Sequence, residues 1–402
     1  MKPTCMDRFA PFFEAVKMAR PDADIAILGG GCAGLSLARR LATSPVEDSV
    51  VVLEPRETYT DDRSWCFWAG LTHANSHLVA HAWPRWRFST QSGGSATHER
   101  AGLCYQYVRS LDFYDDAREQ IGRHAGVHLE TGTRAQSVSK LANQYRIETD
   151  QGALSANAVI DTRPLPPDSP ALLYQCFLGA EVTHPRMRPE DAEIAGLMEA
   201  MASDADGFNF LYVLPLAPGR SLIEVTRFAK RRIDPKALND QLTAEIGRLH
   251  GSETEVIRTE AGVLPMGLTN SVPQPAGPQH VFAGLPGGAL RPASGYAFQR
   301  IQTWADKCTA SIASGHGGIG HPPEPKIRAL MDRIFLHALR AHPERGADFF
   351  MAMAKRLSPD AFVRFMSDAA TVGDKMNIVT ALPPVPFLKA AWATLRAREV
   401  AA

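Results

Sequence analysis

Two hydrophobic rhythms alternate along this chain. Near its start, Ile25-Ala-Ile-Leu28 and Val50-Val-Val-Leu53 are short unbroken apolar runs, the pattern of strands buried on both faces. Between them, Leu35 to Leu41 is compatible with a helix, which gives strand, helix, strand. Val127-His-Leu129, Tyr145-Arg-Ile147-Glu148 and Ala158-Val-Ile160-Asp161 predict further short strands. Tyr105-Gln-Tyr107-Val108-Arg109-Ser110 leads into a helical pattern from Phe113 to Ile121. Pro164, Pro166, Pro167 and Pro170 then mark a boundary. Beyond them the strands lengthen and alternate. Phe208 to Leu214 and Ser221 to Phe228 are the clearest, joined by the turn Pro218-Gly219-Arg220. Leu238 to Leu249 is an amphipathic helix, glycine-rich sequence returns from Val281 to Tyr296, and another helix follows. Residues 325–402 read as helices broken at Leu382-Pro383-Pro384. The expected architecture is α/β. Residues 1–20 form an extension, 21–165 and 275–315 the two parts of one domain, 166–274 a strand-rich insertion, and 316–402 a helical region.

The first strand ends in Gly29, Gly31 and Gly34 at the spacing G-x-G-x-x-G, and the second ends in Glu54, 20 residues after Gly34. This is the dinucleotide-binding fingerprint in its required context. Gly29 permits the turn, Gly31 lets the backbone approach a pyrophosphate, and Gly34 lets helix and strand pack closely. The helix N-terminus offers unpaired N–H groups to phosphate, and Glu54 offers a carboxylate to the ribose hydroxyls.

Composition changes this picture only by exclusion. Forty-three basic and 43 acidic side chains give a formal net charge of zero, so nothing suggests a nucleic-acid partner. Six scattered cysteines with no C-x-x-C pair fit a reducing cytosol and offer no zinc site; the 13 histidines show no metal-binding spacing. Asp7, Arg8 and Glu14 interrupt any apolar leader, and no window of about 18 apolar residues exists.

With the glycine run, Glu54, Asp62-Arg63-Ser64-Trp65-Cys66-Phe67-Trp68, Leu222-Ile223-Glu224-Val225-Thr226 and Pro292-Ala293-Ser294-Gly295-Tyr296, the chain resembles the lycopene cyclase family from about residue 23 to 395. Its tail, Phe335 through Leu382-Pro-Pro-Val-Pro-Phe387-Leu388-Lys389, is similar to the bacterial branch. The resemblance implies a glutathione-reductase-like FAD-binding Rossmann domain with an inserted substrate domain. It implies closure of β-rings on the ends of lycopene, or a similar linear carotenoid, without net oxidation. FAD would act in its reduced form with NAD(P)H as reductant. Implied cofactor contacts are Gly29, Gly31, Gly34, Glu54, Arg63, Gly288, Gly295 and Tyr296. Glu224 is the implied catalytic acid, with Trp65, Phe67, Trp68 and Phe228 against substrate. Two positions depart from the family pattern. Val225 and Thr226 follow Glu224, so one carboxylate stands there, and Gly284-Leu285 replaces a Gly-Asp pair.

Several residues keep two readings. Glu224 shares a strand face with Leu222, Thr226 and Phe228: it is either an acid in an apolar pocket, its pKa raised, or a solvent-facing glutamate paired with Arg220 or Arg227. Trp65, Phe67 and Trp68 are either cation-stabilising walls or aromatic core. Arg63 meets cofactor phosphate or a nearby acid. The turn from Arg291 to Tyr296 points a helix end at the flavin or caps it. Lys230-Arg231-Arg232 is solvated surface or touches anionic lipid. Phe387, Leu388, Trp392 and Leu395, flanked by Lys389, Arg396 and Arg398, are a membrane-docking face or a terminal helix packed on the core. The expected location is cytoplasmic, peripheral to the inner membrane. A flavin monooxygenase or isoprenoid reductase on the same fold is the competing class. It would consume NAD(P)H with each turnover.

Overall fold

The computed structural model describes residues 20–185, 192–204, 207–269 and 275–399. The expected extension, 1–20, lies outside them except for Arg20. The described chain opens with β1 (Ala23–Leu28), α1 (Cys32–Ala42) and β2 (Val50–Glu54). Five short strands follow: β3 (Ser64–Ala69), β4 (Val79–Trp83), β5 (Arg85–Thr90), β6 (Ser95–Glu99) and β7 (Cys104–Arg109). Then come α2 (Ser110–Gly122), β8 (Val127–Thr131), β9 (Ala135–Leu141), β10 (Gln144–Thr149) and β11 (Gly152–Asp161). The long strands are β12 (Ala171–Thr183), β13 (Ile194–Asp204), β14 (Gly207–Ala217), β15 (Arg220–Ala229) and, after α3 (Asn239–His250), β16 (Glu255–Leu268). β17 (His280–Phe282), α4 (Phe298–Ala313), α5 (Lys326–Ala341), α6 (Gly346–Arg356), α7 (Pro359–Met366), α8 (Val372–Ala381) and α9 (Pro384–Glu399) complete the chain.

The first sheet has the order β8-β2-β1-β11-β10-β9, with β17 parallel to β11. Its central strands β2, β1 and β11 run parallel; β1 and β2 are almost wholly buried, as their unbroken apolar runs require, and β11 is buried at its carboxyl end. α1 and α4 cover one face, with Leu35, Leu37, Ala38, Trp304 and Ala305 fully buried against it. The second sheet has the order β16-β12-β15-β14-β13-β5-β6. Here the polar–apolar alternation has a direct meaning. Ile223, Val225, Leu211 and Val182 face α3, and the opposite face looks toward the nucleotide-type domain and the helices α5–α9. A small sheet, β3-β7-β4, lies between the two.

One assignment needs correction. Residues 21–165 were expected to belong to the first domain throughout. Instead β5 and β6 extend the second sheet, with β5 parallel to β13 and Arg85 opposite Ile194. The pairing joins residues more than 100 positions apart, so no local pattern announces it.

Candidate active site

The carboxyl ends of β1, β11 and β17 meet in a glycine-lined cradle. Gly29 sits at φ +99°, and a Cβ on Gly34 would stand 1.9 Å from the Gly29 carbonyl oxygen, so both positions demand glycine. Thr162 Oγ1 ties β11 to this turn through the Leu28 and Gly29 carbonyls, at 3.0 and 2.9 Å. Gly284 packs on Ala33 and Thr162. Beside Gly31 and Gly288 there is open space within 4 Å of where a Cβ would stand, room for a backbone-bound phosphate group. The α1 N-terminus points there with no side-chain cap.

The other expected cofactor contacts are placed differently from one another. Glu54 is buried at the end of β2, but its oxygens already accept from Gly30 N at 2.8 Å and from Arg56 N and Nε at 2.9 and 2.7 Å. A ribose would have to displace the half-buried Arg56 side chain. Arg63 is half exposed and donates to the Asp62 carbonyl 2.5 Å away. Gly295, at φ +75°, packs against Gln175 of β12, so it serves loop packing rather than an open approach. Arg291 is buried, bonds both Asp332 oxygens at 3.1 and 3.2 Å and lies over the Phe365 ring. It thus ties the Pro292–Tyr296 turn to α5 and α7, while Ala297 caps α4 without a side-chain bond.

Cross-strand pairing orders the second sheet's inner face, because residues opposite one another point the same way. Tyr212, Glu224, Gly179 and Glu260 form one row across β14, β15, β12 and β16. The next row on one side is Leu214, Leu222, Glu181 and Arg258; on the other it is Phe210, Thr226, Phe177 and Gly262. Glu224 is 8% exposed. Burial, and then the Glu260 charge, push its carboxyl up to about 8, against the opposing 2.6 Å bond from Thr226 Oγ1. Neither expected arginine reaches it: Arg220 pairs with Glu181 and Arg227 with Asp204. The row also supplies the second carboxylate that the Glu224-Val225-Thr226 sequence lacks.

Beyond this row lies an apolar cavity of about 320 Å³. Tyr212, Tyr296, Phe210 and Phe228 line its inner part, and α5–α9 supply Phe335, Phe350, Met353, Phe365 and Phe387. Val379 and Leu388 line it too and are 58% and 68% exposed, so it reaches the surface between α8 and α9. Tyr212, which lines the cavity, stands directly opposite Glu224 in the pairing of β14 with β15, so the acid lies beside the inner wall. Tyr105 Oη is 3.1 Å from Tyr296 Oη, and Trp68 packs against both rings. Phe228 is therefore on the cavity and Trp68 behind its wall. Trp65 and Phe67 do not line this cavity. They alternate to the other face of β3 and stack on Phe298 at 5.5 and 5.1 Å, within the aromatic core of the first domain.

Comparison with known proteins decides the family. Residues 24–392 match the model of the lycopene cyclase protein family. The chain belongs to that family. Lycopene β-cyclase of Pantoea ananas is 26% identical over 399 residues, covering 94% of this chain and 99% of that protein. Solved structures share the fold at lower identity. A geranylgeranyl bacteriochlorophyll reductase-like protein from Thermoplasma acidophilum has a TM-score of 0.59 at 14% identity, over 91% of this chain and 98% of that one. The halogenase PltM, solved with FAD, has a TM-score of 0.53 at 13% identity, over 94% and 92%. This lycopene cyclase family member is thus an enzyme of carotenoid cyclisation on a flavoprotein-like α/β fold. Glu260, Tyr105 and Tyr212 escaped the sequence reading. Tyr212 stood in an expected strand and Tyr105 in the run leading to a helical pattern, but only the pairing of β12 with both its neighbours brings Glu260 to Glu224.

Proposed function

We propose that this cyclase binds FAD in the glycine cradle, requires it reduced, and closes β-rings on the ends of lycopene, with Glu224 as the acid. The observation that carries this reading is a buried carboxyl, pushed toward its neutral form, opposite a tyrosine that lines an apolar cavity. The cradle residues fit FAD: Gly29 and Gly34 allow the turn, Gly31 and Gly288 leave open approach, and Thr162 fixes the floor. When bound and reduced, the flavin supplies negative charge that favours a nearby cation, without transferring electrons.

Ring closure then needs little else. The Glu224 proton forms a C–H bond at the terminal alkene. The tertiary cation left behind is attacked by the neighbouring double bond, forming a C–C bond. A proton leaves the new ring, so no electrons are gained or lost. The faces of Phe210, Tyr212 and Tyr296 offer electron density to the cation. Burial pushes the Tyr212 and Tyr296 hydroxyls up, which keeps them neutral beside it.

The same proposal covers entry. Val385, Leu388, Trp392 and Leu395 of α9, with Val372, Met376 and Val379 of α8, are all at least half exposed around the cavity mouth. Among the described residues no single helix is long and apolar enough to cross a membrane, and α8 and α9 are bent by 115° from one another. Such a pair suits docking in the plane of a bilayer, from which a C40 hydrocarbon is taken directly. Cytoplasmic, peripheral attachment to the inner membrane follows as part of the proposal.

The test is expression in cells that accumulate lycopene, with pigment chromatography, followed by counting NAD(P)H oxidised per ring in the purified enzyme. Cyclised pigment with far less than one NAD(P)H per ring is expected. A one-to-one ratio would overturn the non-redox reading in favour of a reductase or monooxygenase.

A further inference from the structure

We propose that Glu260 is a positioning residue for ring closure: across the bare backbone of Gly179 it approaches the Glu224 carboxyl and keeps the pair's proton on Glu224. This rests on the cyclase reading for its chemistry but not for its geometry. β12 separates β15 from β16, and both glutamates stand opposite the same residue of it, Gly179. A Cβ there would stand 3.2 Å from both Glu224 Cβ and Glu260 Cγ. Glycine therefore leaves the gap into which both side chains reach, close enough for the Glu260 carboxylate to raise the Glu224 carboxyl. Two carboxyl groups held this close do not readily ionise together, so one of them carries a proton.

The surroundings decide which one. Glu260 accepts from Ser64 Oγ at 2.6 Å and from Arg258 Nη1 at 2.9 Å. Arg258 also holds Glu181 Oε2 at 2.7 Å and Asp61 Oδ2 at 3.1 Å, and it reaches the Tyr107 hydroxyl at 2.8 Å. Arg220 on Glu181 and Arg109 on Asp61 complete the cations of this cluster. All of this positive charge lies on the Glu260 side. The groups facing Glu224 are the Thr226 hydroxyl, Tyr212, Tyr296 and Cys66. Burial keeps the two tyrosines and the Cys66 thiol neutral. Glu260 is thus the ion-paired carboxylate and Glu224 the acid.

This arrangement does two things for the reaction. Glu224 stays protonated at neutral pH, ready to give its proton to the alkene. Once ionised beside Glu260, it is a stronger base than an isolated carboxylate, so it takes the proton lost from the new ring. The proton that enters the substrate and the one that leaves it balance, and the pair returns to its starting state.

The experiment measures kcat against pH for wild type, Glu260→Gln, Glu260→Asp and Gly179→Ala, with lycopene in vesicles and reduced flavin. Infrared spectra of the protonated-carboxyl stretch follow the same variants without substrate. Glu260→Gln removes the charge that opposes ionisation of Glu224. The alkaline limb of kcat, and loss of the carboxyl band, should move to lower pH by about 1 unit or more. Gly179→Ala pushes the carboxyls apart and should move both in the same direction. Glu260→Asp should restore part of the wild-type position. An alkaline limb and band unmoved in both Glu260→Gln and Gly179→Ala would overturn the proposal. Absence of rings from the wild type would instead refute the cyclase reading, and the infrared titration would still decide the carboxyl pair.

Discussion

Glu181 and Glu224 stand one row apart on the same face of the second sheet, and both are buried, yet their surroundings differ in kind. Around Glu181 the chain gathers Arg220 and Arg258, so this fully buried carboxyl sits within an ionic cluster. Around Glu224 it supplies a hydroxyl, aromatic rings and a second carboxylate, and no arginine among the described residues pairs with it. Burial alone therefore does not distinguish a structural acid from a chemical one. The partner does, because a neighbouring cation favours the charged form and a neighbouring carboxylate the neutral one. Along the face the ionic end gives way to the carboxyl row, then to Phe210 and Phe228 on the cavity. The reacting end of a hydrocarbon would meet one neutral acid and few other polar groups.

Removing the acid should have the largest effect on ring formation. Glu224→Gln keeps size and hydrogen bonding but offers no acidic proton, so cyclisation should fall by about 10²-fold or more. Flavin content, read from visible absorbance, should not change. Normal pigment profiles from this variant would make Glu224 as structural as Glu181 and erase the contrast.

A pH series sharpens the contrast from the other side. Glu224 is active when protonated, and its carboxyl is raised from 4.5 to about 8. The active form is therefore full well below pH 8 and is lost as pH rises through it, by roughly tenfold per unit beyond. An alkaline limb near pH 5 would mean that Glu224 is an ordinary exposed carboxylate.

The ionic end should respond in stability rather than rate. Glu181→Gln leaves Arg258 with Glu260 and Asp61 and leaves the part-exposed Arg220 to solvent, so the cost should stay below the about 3–5 kcal/mol of breaking a lone buried pair. The melting temperature should drop while the alkaline limb of kcat stays in place. If Glu181→Gln moved that limb as far as Glu260→Gln does, the two ends of the face would be one electrostatic unit, not two.

How much of this was legible in the sequence depends on how local each feature is. The cradle was legible because Gly29, Gly31, Gly34 and Glu54 lie within one strand–helix–strand unit, where spacing fixes geometry. Glu224 was legible as a candidate through alternation and resemblance, but its partner was not. Glu224, Gly179 and Glu260 come from three strands, and the register that aligns them is set by long-range pairing. The same limit hid the transfer of β5 and β6 to the second sheet. Trp65, Phe67 and Trp68 formed one aromatic cluster on paper. The pleat of β3 divides them, sending Trp65 and Phe67 to the first domain's core and Trp68 toward Tyr105 and Tyr296.

The smallest expected effect lies at the far end of the cavity, where α9 combines both readings of its sequence. Phe387 turns inward against Phe335 and Phe349, whereas Leu388, Trp392 and Leu395 turn outward at 68%, 60% and 50% exposure. Arg396 lies over the Trp392 ring, and Lys389 is exposed beside it. Replacing Leu388 and Trp392 together with serine removes apolar surface that docks in a bilayer but leaves the inward contacts intact. Each buried apolar side chain contributes about 1.5–3 kcal/mol when fully withdrawn from water. Partial insertion by two of several residues should therefore weaken vesicle flotation by roughly tenfold. Fold and flavin content should be unchanged, because both side chains are mostly exposed. Turnover with vesicle-bound lycopene should fall in parallel, while turnover with detergent-dispersed lycopene should hold. Equal flotation by variant and wild type would remove Leu388 and Trp392 from the docking surface. Loss of turnover in both presentations would instead place Leu388 in the cavity wall's own work, since it lines the mouth as well as the surface.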